Sequence, residues 1–175
     1  MNFATLLAFL AAFPSMVPAA ALSPQNLFNI SVATAEYGKS VIQCWQLTTP
    51  PSLATIGSGS FESQSLGKAQ AVSINFFPAG LSFGLHPAPV VQWVVVLSGS
   101  TKVYLQNQTD EADTVFTSAG KNGVLLAADT ADISPLGHVT ETVEETVMLF
   151  MSTANGTVPE HTVLHNKACA GEDLV

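Results

Sequence analysis

Few residues of this chain could do chemistry: four histidines, a glutamine set inside an apolar run, and two cysteines. His86 stands just before "PAPVVQWVVVL", Gln92 interrupts that run, and His138 follows a glycine in "SPLGHVTETV". An amide buried without a partner costs about 1–3 kcal/mol, so Gln92 must point somewhere wet or somewhere functional. Two neutral imidazoles and an amide can ligate a divalent ion, for which about three to four good donors are needed. They can also act without metal, as oriented donors and acceptors around an oxygen atom in an apolar pocket. The ordinary alternative is that His86 and His138 are polar residues near strand ends and Gln92 bonds to neighbouring backbone.

Other candidates are weaker. His161 and His165 in "EHTVLH" share one face of a strand and could chelate, but an exposed strand near the C-terminus makes surface histidines the simpler reading. Asp129 and His138 would supply two members of a hydrolase triad, yet no "GxSxG" elbow occurs and no serine stands out. Trp45, Phe77 and Val94 are the apolar residues expected to line a substrate, while Trp45, Phe76 and Phe77 serve the core first. Trp93 alternates away from Gln92 and should pack against a second layer or a partner subunit.

These groups must be positioned by strands. Gly, Pro, Asn or Asp punctuates the chain roughly every eight to twelve residues, with short β-branched and aromatic runs between, the rhythm of an all-β sandwich or barrel. "VVQWVVVL" is almost continuously apolar and reads as a central strand covered on both faces. "TKVYLQ" alternates, turning Thr101, Val103 and Leu105 inward and Lys102, Tyr104 and Gln106 outward. The best helical candidate is Leu22 to Gly38, with Ser23 able to cap and Pro24 at the first helical position. Pro50-Pro51 and "IGSGSFESQSLGKAQ" read as a loop lying over an opening.

Composition narrows the function classes. Hydrophobic residues make up 47% of 175 residues and charged ones 10%, which favours one packed domain. The net charge is −8, with five lysines and no arginine, and this excludes nucleic-acid binding, which needs clustered cations. Residues 1–21 read as a signal peptide: an apolar run from Leu6 to Phe13, then small residues Ala19 to Ala21. The domain is expected over 22–175, secreted or in the secretory lumen, with no membrane contact after cleavage. Three sequons, at Asn29, Asn107 and Asn155, agree with secretion and are expected on surface turns. Cys44 and Cys169 are expected to form one disulfide.

Gly84-Leu85-His86, then Gln92, then Gly99 resembles the first motif of the cupin superfamily, in which two histidines and a glutamate bind metal. In that register His86 matches the first histidine, Ala88 the second and Gln92 the glutamate. "KNGVLLAADTADISPLGHVTETV" resembles the second motif more loosely, with His138 at the last ligand position. The resemblance implies a cupin or jelly-roll β-barrel. It leaves the metal open: none, or one divalent ion such as Mn, Fe or Zn on His86, Gln92 and His138. The leader, the size and "HPAPVVQW…G…GH" are similar to small secreted fungal cupin-like proteins. That similarity implies a role in secondary metabolism as a cyclase, isomerase or pericyclase, of hetero-Diels–Alder type, acting on an apolar small molecule through His86, Gln92 and His138. The alternatives are a metal-dependent cupin oxygenase or isomerase, and a non-catalytic binding protein for an apolar ligand. Sheets of this kind also pair through an exposed edge or face, which leaves a homodimer open.

Overall fold

The computed structural model describes residues 27–106, 114–120 and 122–174; the expected leader and the sequon at Asn107 lie outside them. The described chain is nearly all β. It opens with a hairpin of β1 (Asn29–Glu36) and β2 (Lys39–Leu47), turned at Tyr37 and Gly38, both at positive φ. There follow β3 (Ser52–Ile56), β4 (Gly59–Ser63), β5 (Ala69–Phe77), β6 (Ser82–His86), β7 (Gln92–Ser98) and β8 (Ser100–Tyr104). The chain is completed by β9 (Val115–Ser118), β10 (Val124–Ala127), β11 (His138–Thr142), β12 (Thr146–Thr153) and β13 (His161–His165).

Two of the sequence expectations give way here. Residues 29–36 of the helical candidate form β1, because Ile30 and Val32 alternate onto one buried face and β-branched side chains suit a pleated surface. The Gly/Ser-rich stretch is not a plain loop: its first part forms β4, which pairs with the preceding β3 as a separate two-stranded hairpin.

A seven-stranded sheet runs β13-β2-β1-β10-β7-β12-β5 and a four-stranded sheet runs β6-β11-β8-β9. No strand ladder among the described residues joins the two, so they do not close into the barrel that the motif resemblance implies. Between them pack Ala33, Ile42 and Leu125 from the large sheet and Val103, Leu105 and Val115 from the small-sheet side. Thr101, Val103 and Leu105 thus point inward as their alternation requires. Each buried Val, Leu or Ile side chain among them contributes about 1.5–3 kcal/mol.

The large sheet also buries its opposite face. Ile30, Val32, Trp45, Leu47, Trp93 and Leu126 form a second cluster there, with Leu66 and Phe28 packed against it. Trp93 Nε1 donates to the carbonyl of Leu66 at 2.9 Å, so the segment before β5 is the second layer that Trp93 meets. β7 lies between β10 and β12, the central position expected for it. Cys44 and Cys169 form the disulfide, tying the C-terminal segment to β2.

Candidate functional site

The site begins where β11 passes β6. His138, the first residue of β11, is opposite His86, the last of β6, and the two ring centroids are 4.9 Å apart. Gly137 makes this approach possible: its φ is 78°, and a Cβ there would overlap the His86 carbonyl.

Behind the ring, His138 Nδ1 lies 3.0 and 2.9 Å from the two oxygens of Asp129, which is completely buried. A carboxylate only accepts, so Nδ1 carries the hydrogen, and in the neutral ring Nε2 has the lone pair. Asp129 is itself fixed. Its carbonyl accepts from Ala88 N at 3.2 Å, and its Oδ2 accepts from Ser40 Oγ at 2.7 Å. Ser40 Oγ is in turn 2.7 Å from Ser134 Oγ, so a hydroxyl pair braces the same carboxylate oxygen that lies 2.9 Å from the imidazole. The order Ser40, Asp129, His138 is not a nucleophilic triad, because the hydroxyl bonds the acid and not the base. His86 Nδ1 is 3.0 Å from the Gly84 carbonyl, and by the same logic its Nε2 is the basic nitrogen.

His138 faces a cavity of about 50 Å³ between the sheets. Gln92 and Val94 line it from β7, Met148 and Phe150 from β12, Thr101 and Val103 from β8. The alternation of β7 turns Gln92 and Val94 inward and Trp93 outward. Neither the Gln92 amide nor His138 Nε2 has a hydrogen-bond partner among the described residues, and both residues border the cavity. The remaining wall is mostly apolar.

Gln92, Val94 and His138 converge on the cavity. His86 sits beside His138, outside the cavity lining. Phe77 lies outside the lining, edge-on to Phe83 at 5.2 Å and 6.0 Å from Phe150, both of which line the cavity. Trp45 does not belong to the site. It is buried on the opposite face of the large sheet, stacked on His161 at 3.4 Å, because it is an odd number of residues from the inward-facing Ile42. Phe76 is also outside the core, 72% exposed.

His161 and His165 do not converge either. His161 covers Trp45, and His165 Nε2 meets Asp173 at 3.2 Å. Cys44 comes close to His165 and Asp173, but its sulfur is committed to the disulfide. Asn155 is exposed in a turn, as its sequon requires. Asn29 is not on a surface turn. It begins β1, where its Nδ2 donates to the Asp173 carbonyl at 2.8 Å and its Oδ1 accepts from Gln46, so a glycan there would displace the C-terminal segment.

The donors present do not fit a tight divalent site. Ala88, buried at the second histidine position, donates nothing, Gln92 offers a neutral carbonyl, and Asp129 is spent on His138 Nδ1. Two imidazoles and an amide provide neither the donor count nor the charge compensation such ions need. Ser40 and Ser134 carried no sequence signal at all, since nothing distinguishes them from the chain's other serines.

On the outer face of the small sheet, Lys102 Nζ is 2.6 Å and Tyr104 Oη 2.8 Å from the Glu141 carboxylate. The Lys102 bond, then the Tyr104 bond, holds the Glu141 carboxyl below its ordinary range, and the Glu141 bond raises Lys102 and Tyr104. This trio lies on the outward face, as the alternation of β8 requires.

No protein-family model matches the chain, and no curated protein matches it. Among solved structures, a conserved protein of unknown function from Streptococcus pyogenes is 17% identical with a TM-score of 0.36, over 54% of this chain and 71% of that one. So slight a likeness does not bear on fold or function. Among the described residues no helix is long and apolar enough to cross a membrane.

Proposed function

We propose that this chain is a secreted, cupin-like enzyme of fungal secondary metabolism. It promotes a metal-independent cyclisation or isomerisation of an apolar, oxygen-bearing small molecule, a hetero-Diels–Alder closure being the specific form that the motif resemblance suggests. One observation carries the reading: an Asp129-oriented His138 and a Gln92 amide without a protein partner border the same apolar cavity. The disulfide suits an oxidising compartment.

The chemistry follows from what each group can hold. His138 Nε2 accepts a proton from a hydroxyl or an activated C–H of the substrate, and Asp129 stabilises the imidazolium that forms. The Gln92 N–H donates to the carbonyl oxygen on which the displaced electron pair collects. Return of the proton at a second position completes an isomerisation. Ring closure of a conjugated, folded substrate needs no net proton change, and there the apolar wall acts by holding the reacting ends together.

A cavity of about 50 Å³ takes only the reacting atoms. Pockets that enclose a whole drug-sized ligand measure roughly 300–1,000 Å³. The rest of the substrate therefore lies outside it, and the neighbouring aromatic cluster of Phe77, Phe83 and Phe150 is the apolar surface offered to it.

The test is incubation of the purified protein with extracts of the producing organism, followed by mass spectrometry for depleted and newly formed compounds. Conversion by the native protein that is lost in His138→Ala supports the proposal. Retention of an apolar compound with no conversion would make this a binding protein instead.

A further inference from the structure

Strand β5 is the outermost strand of the seven-stranded sheet, so one row of its N–H and C=O groups has no strand partner among the described residues. Exposed edges are normally guarded by lysine, proline or inward-pointing charge. The sequence of β5, "AQAVSINFF", has no charged residue and no proline. Its outward side chains Val72, Ile74 and Phe76 are 60%, 54% and 72% exposed. They stand in register with Met151, Leu149 and Val147 of β12, so the apolar face continues from the edge onto the sheet. A continuous apolar face that reaches an unguarded edge is the kind of surface that pairs with another strand.

Two features of this edge favour a second copy of the same chain over an unrelated strand. The first is symmetry of pattern. Antiparallel pairing about Ile74 sets Ile74 against its own counterpart and Val72 against the second copy's Phe76, with these three side chains of both copies on the same face. The second is charge. Lys68 immediately precedes β5, and Glu145 immediately precedes Thr146, which pairs with Phe77 at the other end of the strand. Both are exposed, and neither forms an ion pair with a described residue. A two-fold axis through the middle of β5 therefore brings each Lys68 to the end where the second copy's Glu145 lies, and does so twice. At a net charge of −8, copies repel one another over most of their surface. This edge is uncharged along its length and carries opposite charges at its two ends.

We infer that β5 pairs antiparallel with β5 of a second copy across a two-fold axis, joining the two large sheets into one, with Lys68 of each copy against Glu145 of the other. Strand β5 ends at Phe77, whose ring meets Phe83 of the cavity lining, so the paired edge lies one contact from the cavity. The pairing does not depend on the proposed activity.

The experiment is the solution mass of the full protein from a secreting host, measured by light scattering over a concentration series. The native protein is expected at twice the chain mass. Ile74→Lys is expected at the mass of one chain with an unchanged melting temperature; if that variant melts early, Phe76→Glu is read in its place. Lys68→Glu and Glu145→Lys are each expected to weaken association by about tenfold or more, and the double charge reversal to restore it. A native protein that stays at one chain mass at every concentration overturns the inference. So does a dimer that survives Ile74→Lys and Phe76→Glu, or a double reversal no better than the single variants.

Discussion

Asp129 sets both carboxylate oxygens against Nδ1 of His138, at 3.0 and 2.9 Å, inside a region closed to solvent. That contact decides which nitrogen of the imidazole faces the cavity with a lone pair. Without Asp129 the ring would sample both tautomers and the cavity would lose its base.

Asp129→Asn is expected to lower conversion by about 10²-fold or more while the fold survives, since the amide is isosteric and still meets Ser40. Nitrogen NMR of His138 should report the Nδ1–H tautomer in the native protein and a mixture in the variant. Ser40→Ala, which removes only the hydroxyl bond to the carboxylate, should shift the same signal less.

Gln92→Leu removes the one amide donor from the cavity wall and should reduce conversion by about 10²–10³-fold, the usual loss for one donor to a developing oxyanion. Exhaustive chelation should leave conversion unchanged. Activity lost with EDTA and restored by Mn, Fe or Zn would overturn the metal-independent reading.

Gly137→Ala should be among the most damaging small substitutions in the chain. Its positive φ alone costs about 1–3 kcal/mol for a residue with a Cβ, and the overlap with the His86 carbonyl adds to that. A drop in melting temperature, together with a changed His86 imidazole signal, would show that the two histidines had been pushed apart.

The Lys102, Tyr104 and Glu141 trio gives a pH signature separate from the site. The Glu141 carboxyl titrates below its ordinary value of 4.5 in the folded chain, so its stabilisation is complete above that pH and is lost as pH falls through the depressed pKa. Both partners are partly exposed, so Glu141→Gln should cost less than about 1 kcal/mol at neutral pH. Melting curves of variant and native protein should converge in acid; a gap that persists at pH 2 would contradict this account.

Reduction of the Cys44–Cys169 bond, which closes a separation of 125 residues, should cost roughly 4–5 kcal/mol. Cys44→Ser/Cys169→Ser protein should melt well below the native chain and be cleaved faster by protease near its C-terminus.

Much of the fold could be read along the chain because its causes are local. The alternation of "TKVYLQ" put Thr101, Val103 and Leu105 inside, and the apolar run around Gln92 made β7 central. Where local signals competed, reading them failed. Ser23 and Pro24 suggested a helix start, but Ile30 and Val32 in β1 are worth more buried against two sheet neighbours than in an isolated helical turn. The site was legible only in part. Gln92 and His138 are marked by their neighbours, whereas Ser40 reaches Asp129 across 89 residues of sequence, meets Ser134 there, and both look like any surface serine.

The sequence by itself determined an all-β chain, a single possible cysteine pair, a surface unsuited to nucleic acid, and the neutral polar groups available for chemistry, because composition, side-chain periodicity and residue type are properties of the chain alone. The tertiary structure decided that Asp129 orients His138, that Trp45 faces away from the cavity, that the space beside Gln92 is small, and that β5 is left as an uncharged open edge. Each of these depends on which strand lies next to which and how the sheets stack, relations between distant segments that no local pattern contains.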